Sequence, residues 1–118
     1  MELQEIARRI DAELLAPGRQ GCTDVQRVYA GDRMSDLLGQ ASADTLLVSR
    51  LSSAHVLRVA HLMDVPGVCL ADSAQQPKED VVRLAGEQGT ALMVTRLGVK
   101  EVIERLRPSL PISTDART

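Results

Sequence analysis

Two places in this 118-residue chain combine a hydroxyl group with an arginine directly after an apolar run. Ser49-Arg50 follows one run, and Thr95-Arg96 follows another. A guanidinium binds phosphate or carboxylate oxygens through parallel hydrogen bonds, and a neighbouring hydroxyl can donate one more. Either the two segments look alike because buried parallel strands generally do, or the two strand ends line one anion-binding pocket.

A second polar group lies in the segment 28–39, which reads V-Y-A-G-D-R-M-S-D-L-L-G. The pattern predicts a strand end, a tight turn at Gly31-Asp32 and a short helix that follows. Gly31 can take a positive φ, and Asp32 can accept hydrogen bonds from the free N–H groups of the new helix. Ser35 and Asp36 fall in the first turn of that helix. Asp32, Ser35 and Asp36 either cap the helix and lie solvated at its surface, or contact a ligand or a second subunit.

The remaining candidates for chemistry are two histidines, two cysteines and a serine. Ser52 lies where a helix is expected to begin, and His55 in its first turn could reach the same pocket. His55 and His61 are six residues apart, so they do not share a helix face, and no metal site is predicted. Cys69 lies within an apolar run and is interpreted as a core residue. The role of Cys22, in a polar segment, stays open.

Motifs for catalysis are missing from the sequence. It contains no G-x-x-x-x-G-K-[ST], no G-x-G-x-x-G and no G-x-S-x-G. Ser35 and Asp36 are neighbours, yet no histidine accompanies them as a base, and a nucleophile without a base is weak evidence for catalysis. We therefore predict no catalytic residues and no cofactor, and the use of Ser35 or Asp36 in an enzyme is the least favoured interpretation.

Composition narrows the class of protein. The length suits one domain, and the 44% apolar and 25% charged residues are typical of a soluble globular protein. The net charge is −2, from 14 basic and 16 acidic residues that are well mixed, so no basic surface for nucleic acid is indicated. No apolar run is long enough to cross a membrane, and no signal peptide is recognisable. We expect a cytoplasmic protein.

The hydrophobic pattern predicts alternating strands and helices. Residues 3–10 have helical spacing, and residues 12–16 either extend this helix or form a short strand. Val25 to Tyr29 alternates like a partly exposed strand. Buried strands are predicted at 45–49, 68–71 and 91–95, and the helices between and after them have apolar positions within 56–63, 81–85 and 99–106. Residues 1–107 form the predicted domain, and residues 108–118 form an exposed tail.

Strands that alternate with helices through short loops form a mainly parallel sheet covered on both faces, a three-layer α/β/α fold. Ligands bind to such sheets beyond the carboxyl ends of the strands. Both hydroxyl–arginine pairs follow predicted strands. The sequence therefore predicts that they lie at the same edge of the sheet.

Several of these segments resemble the DRTGG-domain family. The resemblance covers about residues 3–106 and rests on V-Y-A-G-D-R-M-S-D-L-L, T-L-L-V-S-R, H-V-L-R-V-A-H-L-M-D-V-P-G-V-C-L and Q-P-K-E-D-V-V-R-L-A-G-E-Q-G-T-A-L-M-V-T. The motif that names the family departs from its pattern, because Tyr29-Ala30-Gly31 stands where Thr-Gly-Gly is expected. The resemblance implies a fold like the N-terminal domain of HPr kinase/phosphorylase, a homodimer, and a role in regulatory segments such as those beside CBS domains.

The function predicted from these observations is a non-catalytic regulatory or ligand-sensing module. It would bind a small anionic metabolite or nucleotide, or regulate a partner enzyme; the alternative is an accessory subunit of a hydrogenase-type redox complex. The predicted ligand-binding residues are Gly31, Asp32, Ser35, Asp36, Ser49, Arg50, Ser52, His55, Thr95 and Arg96.

Overall fold

The fold is taken from a computed structural model that describes residues 1–16, 18, 24–31, 44–50, 54–72 and 78–114. For Ala54, His55 and Thr114 it describes the backbone only. The predicted helix after Gly31 and the predicted cap at Ser52 lie outside the described residues. Gly31 itself is described and does not have the positive φ that the predicted turn would use.

Strands and helices alternate along the chain as the hydrophobic pattern predicts. In chain order the elements are α1 (Leu3–Arg9), β1 (Glu13–Ala16), β2 (Arg27–Ala30), β3 (Thr45–Ser49), α2 (Ala54–Leu62), β4 (Gly67–Leu70), α3 (Glu79–Gln88), β5 (Ala91–Val94), α4 (Val99–Leu106) and β6 (Ile112–Thr114). The residues 12–16, for which a helix extension and a strand were both open, contain the strand β1.

The strands form one sheet in the order β1-β5-β4-β3-β2-β6. The edge strand β1 is antiparallel to β5, and every other neighbouring pair is parallel. Helices cover both faces, which confirms the predicted three-layer α/β/α fold with a mainly parallel sheet. Successive side chains of a strand point to opposite faces, so each central strand supplies residues to two separate cores.

The two cores divide the helices between them. On one face α1 and α4 pack against alternate residues of the central strands, such as Leu46, Val48 and Met93. On the other face α2 and α3 pack against the residues between these, such as Leu47 and Leu92. Apart from Tyr29 on this second face, the core residues are aliphatic side chains, Met93 and Cys69. Tight packing in these cores therefore depends mainly on branched aliphatic groups.

Strand β2 differs from the partly exposed strand predicted for residues 25–29. It begins at Arg27, and Val28, Tyr29 and Ala30 are all buried. Val28 and Ala30 belong to one core and Tyr29 to the other. The predicted partial exposure is limited to Gln26 and Arg27, because β6 pairs with the outer side of β2 and makes it an interior strand.

The structure corrects the prediction that residues 108–118 form an exposed tail. Leu110 is buried in the core that contains α1 and α4, and β6 extends the sheet beside β2. The N–H of Val28 donates to the carbonyl of Pro111 at 3.0 Å. Proline lacks the donor for a sheet hydrogen bond, but this contact uses its carbonyl. A three-residue edge strand with one buried anchor leaves no periodic signal in the sequence.

Two glycines of α3 provide a matched test of this local structure. Gly89 ends the helix with φ 74 and ψ 28, a conformation that costs other residues about 1 kcal/mol. A Cβ added to Gly86, inside the helix, meets nothing within 4 Å. We expect Gly86→Ala to raise the free energy of unfolding by about 0.5–1 kcal/mol, and Gly89→Ala to lower it by about 1 kcal/mol. Urea denaturation checks both, and equal effects would contradict the assigned helix end.

A second test concerns the anchor of the C-terminal segment. Leu110 is only 6% exposed, so Leu110→Ala leaves a cavity and is expected to cost about 2–5 kcal/mol. Arg107→Ala is the control, because this exposed residue lies at the end of α4 and should change stability by less than about 0.5 kcal/mol. If both variants unfold at the same urea concentration as the parent, the segment is the exposed tail that the sequence predicted.

Candidate functional site

The carboxyl ends of four parallel strands lie side by side at one edge of the sheet. Ala30 is level with Val48, Ser49 with Leu70, and Leu70 with Val94. The residues that end these strands or directly follow them form what we call the strand-end rim: Gly31, Ser49, Arg50, Ala71, Asp72, Thr95 and Arg96. The rim therefore brings both hydroxyl–arginine pairs to one edge, as the sequence predicted, with the end of β4 between them. Gly31, for which the sequence left the position open, follows the neighbouring strand β2 at the same edge.

Backbone hydrogen bonds continue past the strand ends and hold the rim in place. The N–H of Gly31 donates to Val48 at 3.0 Å, that of Ala71 to Ser49 at 2.8 Å, and that of Thr95 to Leu70 at 3.0 Å. These bonds extend the parallel ladder by one residue in each strand. The rim therefore begins on a rigid support, which suits a site that must hold its groups in a defined arrangement.

Thr95 has a hydroxyl that is occupied by the fold. The residue is 2% exposed, and its Oγ1 donates to the carbonyl of Ile10 at 2.8 Å. The same oxygen accepts a hydrogen bond from the N–H of Leu97 at 3.2 Å. These contacts join the end of α1 to β5 and shape the loop that carries Arg96. Ser49 is also fully buried, so both hydroxyls of the predicted pairs lie beneath the rim surface.

The two arginines are the exposed members of these pairs. Arg50 follows β3 and Arg96 follows β5, with β4 between them, so their backbones are two strand spacings apart, about 10 Å. Within the described ranges no residue pairs with the guanidinium of Arg96, whereas Arg50 already interacts with a neighbour. Long arginine side chains can span this distance and converge on one anion.

The start of α4 adds further positive charge beside Arg96. Gly98 is the N-cap residue, and within the described part of the chain no side-chain cap is found at the first N–H groups of the helix. A Cβ added to Gly98 would meet no atom of the described residues within 4 Å. Lys100 in the first turn is exposed. Free N–H groups and the helix dipole favour an anion near such a helix start.

Acidic residues lie at the same edge, mainly towards β1. Because β1 is antiparallel, its first residue, Glu13, is level with Val94. Asp11 precedes it with φ 54, and Asp72 follows β4 with the same φ of 54. The N–H of Asp72 donates to Leu97 at 2.7 Å. Sequence reasoning missed Asp11 and Glu13, although aspartate tolerates the left-handed conformation and often ends helices.

Five of the ten predicted site residues are not among those that form the strand-end rim. Asp32, Ser35, Asp36 and Ser52 are not among the described residues. His55 is in the first turn of α2, which begins shortly after the carboxyl end of β3. These residues stay predictions.

Cys69 has the role that the sequence indicated. It lies within β4 and is fully buried. Burial raises the pKa of the Cys69 thiol to about 12. The thiol is therefore protonated near neutral pH and is not a nucleophile, because thiolate is the reactive form. Nowhere in the described ranges do three or more His, Cys, Asp or Glu side chains group as metal ligands would.

Comparisons with known proteins agree with the fold. No protein-family model matches the sequence, and no curated protein is similar to it. A crystal structure that is similar to this chain contains the CBS and DRTGG domains of the regulatory region of Clostridium perfringens pyrophosphatase, complexed with the activator diadenosine tetraphosphate. The TM-score is 0.75 at 15% sequence identity, over 93% of this chain and 47% of that chain.

The fold is therefore DRTGG-like, as the sequence resemblance implied, and it occurs in a regulatory region of an enzyme. This chain spans about half the length of that structure, and at such low identity the likeness concerns the fold alone. None of the helices in the described part of the chain is long and apolar enough to cross a membrane.

The hydroxyl of Thr95 can be tested by removing it. Thr95→Val keeps the branched shape but leaves the buried carbonyl of Ile10 without this donor, so we expect a loss of about 1–3 kcal/mol in the free energy of unfolding. Thr90→Val is the matched control. Thr90 is equally buried, at 2% exposure, but its hydroxyl accepts from the half-buried side chain of Gln88.

The Gln88 amide keeps its hydrogen bond to the carbonyl of Leu57 when the Thr90 hydroxyl is removed, so Thr90→Val should cost less than Thr95→Val. Urea denaturation of the two variants measures the difference. Equal losses would mean that the Thr95–Ile10 hydrogen bond has no special importance for the rim.

Proposed function

We propose that this chain is a non-catalytic regulatory module that senses a small anionic ligand, either a nucleotide or another phosphorylated metabolite, at the strand-end rim. The observation that carries the proposal is the pair of exposed arginines, Arg50 and Arg96, on the carboxyl edge of a parallel sheet. Ligands of open parallel sheets bind at this edge. The similar structure supports the proposal, because it is a regulatory region bound to a nucleotide activator.

The chemistry of the rim suits an anion. Arginine forks match the oxygen geometry of phosphate and carboxylate groups, and these charge-assisted hydrogen bonds are about twice as strong as neutral ones. Among the described residues, Arg96 has no partner and the first N–H groups of α4 beside it have no side-chain cap. An anion would satisfy both. The proposed site residues are Gly31, Asp32, Ser35, Asp36, Ser49, Arg50, Ser52, His55, Thr95 and Arg96, with Thr95 positioning the Arg96 loop.

The regulatory role follows from how the rim is connected. The Thr95 hydroxyl links β5 to α1, and Asp72 links β4 to the loop before α4. A ligand that binds Arg50 and Arg96 would bridge the ends of β3 and β5 and strengthen these links. A partner enzyme could respond to the resulting change in stability or surface. The proposal includes a homodimer and a cytoplasmic location. No observation favours the redox-complex alternative over it.

The test is binding of phosphorylated ligands to the purified chain. We expect ATP, diadenosine tetraphosphate or acetyl phosphate to raise the melting temperature in a saturable way, since a ligand at 100 times its Kd stabilises the folded state by about 2.7 kcal/mol. Arg96→Ala should weaken binding about tenfold or more, because a hydrogen bond to a charged group contributes about 1.5–3 kcal/mol. Isothermal titration calorimetry measures this change.

Arg107→Ala is the control for charge. It removes the same charge from the far end of α4, which runs away from the rim, and should leave the Kd unchanged. No stabilisation by any of the three ligands, or equal effects of Arg96→Ala and Arg107→Ala, would refute the proposed function.

A further inference from the structure

The chain has almost no aromatic rings with which to hold a nucleobase. It contains no Phe, no Trp and one Tyr in all of its 118 residues. That residue, Tyr29, is 1% exposed and packs in the core beside α2 and α3. Proteins commonly bind bases by stacking them on aromatic side chains. The single phenol ring of this chain is therefore not available to stack on a base, and the sequence contains no other Tyr, Phe or Trp that could.

Two imidazole rings remain as stacking surfaces. His61 lies in the last turn of α2, whereas the strand-end rim is near the first turn, so the length of the helix separates His61 from the rim. The backbone of His55 lies in the first turn of α2, which follows the carboxyl end of β3. A single imidazole is a small platform, and the experiment below tests its contribution directly.

Guanidinium groups, by contrast, are exposed at the rim, and an ammonium group lies close to it. Arg50 and Arg96 are exposed on either side of β4, and Lys100 is exposed in the first turn of α4. With the backbones of the arginines about 10 Å apart, a single small phosphate would contact one of them more easily than both. A chain of several phosphates provides oxygens for both guanidinium groups at once.

From this contrast we infer that the rim recognises the phosphate chain of its ligand, and that a nucleobase or other organic part contributes little to affinity. The ligand class is a compound with two or more linked phosphates. This inference rests on the proposed function and narrows it. Selectivity among ligands then depends on the number of phosphates, since each arginine can bind a different one.

A substitution at Asp72 tests the inference by strengthening phosphate binding, whereas the arginine substitutions weaken it. Asp72 is exposed at the end of β4, the strand that separates those of Arg50 and Arg96, so its carboxylate repels an anion held by the two arginines. Asp72→Asn removes this charge while keeping a residue that tolerates the left-handed φ of 54. The substitution should therefore strengthen phosphate binding without disturbing the turn.

The experiment compares tripolyphosphate, ATP and adenosine by isothermal titration calorimetry at constant ionic strength. We expect the Kd of tripolyphosphate to lie within about threefold of that of ATP, which would mean that the nucleoside adds less than a tenfold step to affinity. Adenosine, which has no phosphate, should show no binding. Sodium sulfate is the control for non-specific charge and should bind at least about tenfold more weakly than tripolyphosphate.

Variants assign the binding to the rim. Arg50→Ala and Arg96→Ala should each raise the Kd of tripolyphosphate about tenfold, and Asp72→Asn should lower it several-fold. Arg107→Ala should leave it unchanged. The opposite signs expected for Arg96→Ala and Asp72→Asn separate a local effect from general destabilisation, which would weaken binding in both.

The outcomes distinguish this inference from the proposed function. If ATP binds and depends on Arg96, but adenosine also binds or tripolyphosphate does not, the inference is overturned and the function stands. The inference is also overturned, and the proposed function stands, if His55→Ala abolishes ATP binding but leaves tripolyphosphate binding unchanged. If sulfate equals tripolyphosphate, or the arginine variants have no effect, recognition of a phosphate chain at the rim is refuted. If none of the phosphorylated compounds binds, the proposed function fails as well.

Discussion

Parallel pairing of β2, β3, β4 and β5 in one continuous ladder is the constraint on which the rest of this protein depends. Parallel strands all point the same way, so their carboxyl ends meet at one edge. The register keeps Ser49, Leu70 and Val94 level with one another. Polar residues that are far apart in the chain, such as Arg50 and Arg96, are thereby brought onto one rim. A shift of one residue in any central strand would exchange its two faces and separate these groups.

Aliphatic cores cover both faces of this sheet, and this composition limits the side chains that are available for binding. Leucine, valine, isoleucine and alanine fill the space between sheet and helices, with Tyr29 as the single ring. A core of this kind can be well packed without aromatic residues, but it leaves none to place at a binding surface. The chemistry available at the rim is consequently that of guanidinium, ammonium, carboxylate and backbone N–H groups. Such a surface discriminates by charge and geometry more than by shape of an apolar group.

The edges of the sheet show how the fold is completed by short segments. Strand β1 closes one side with an irregularity between Leu14 and Ala16, and β6 closes the other after the buried side chain of Leu110. Aspartates at left-handed positions redirect the chain after α1 and after β4. Each of these features depends on one or two residues. Together they place Asp11, Glu13 and Asp72 beside the cationic groups and limit where an anion can bind.

Sequence alone determined the class of fold, the buried strands and most of the helices, because runs such as Thr45–Ser49 and the stripe of α4 are strong local patterns. It also indicated that Ser49-Arg50 and Thr95-Arg96 would share an edge. Only the tertiary structure decided that the Thr95 hydroxyl binds Ile10, that β2 is an interior strand, and that residues 110–114 join the sheet. These features arise from contacts between residues up to 85 positions apart, which no local periodicity records. The direction of β1 was likewise undecided by its sequence, since a four-residue strand pairs according to the edge that is free when the chain folds.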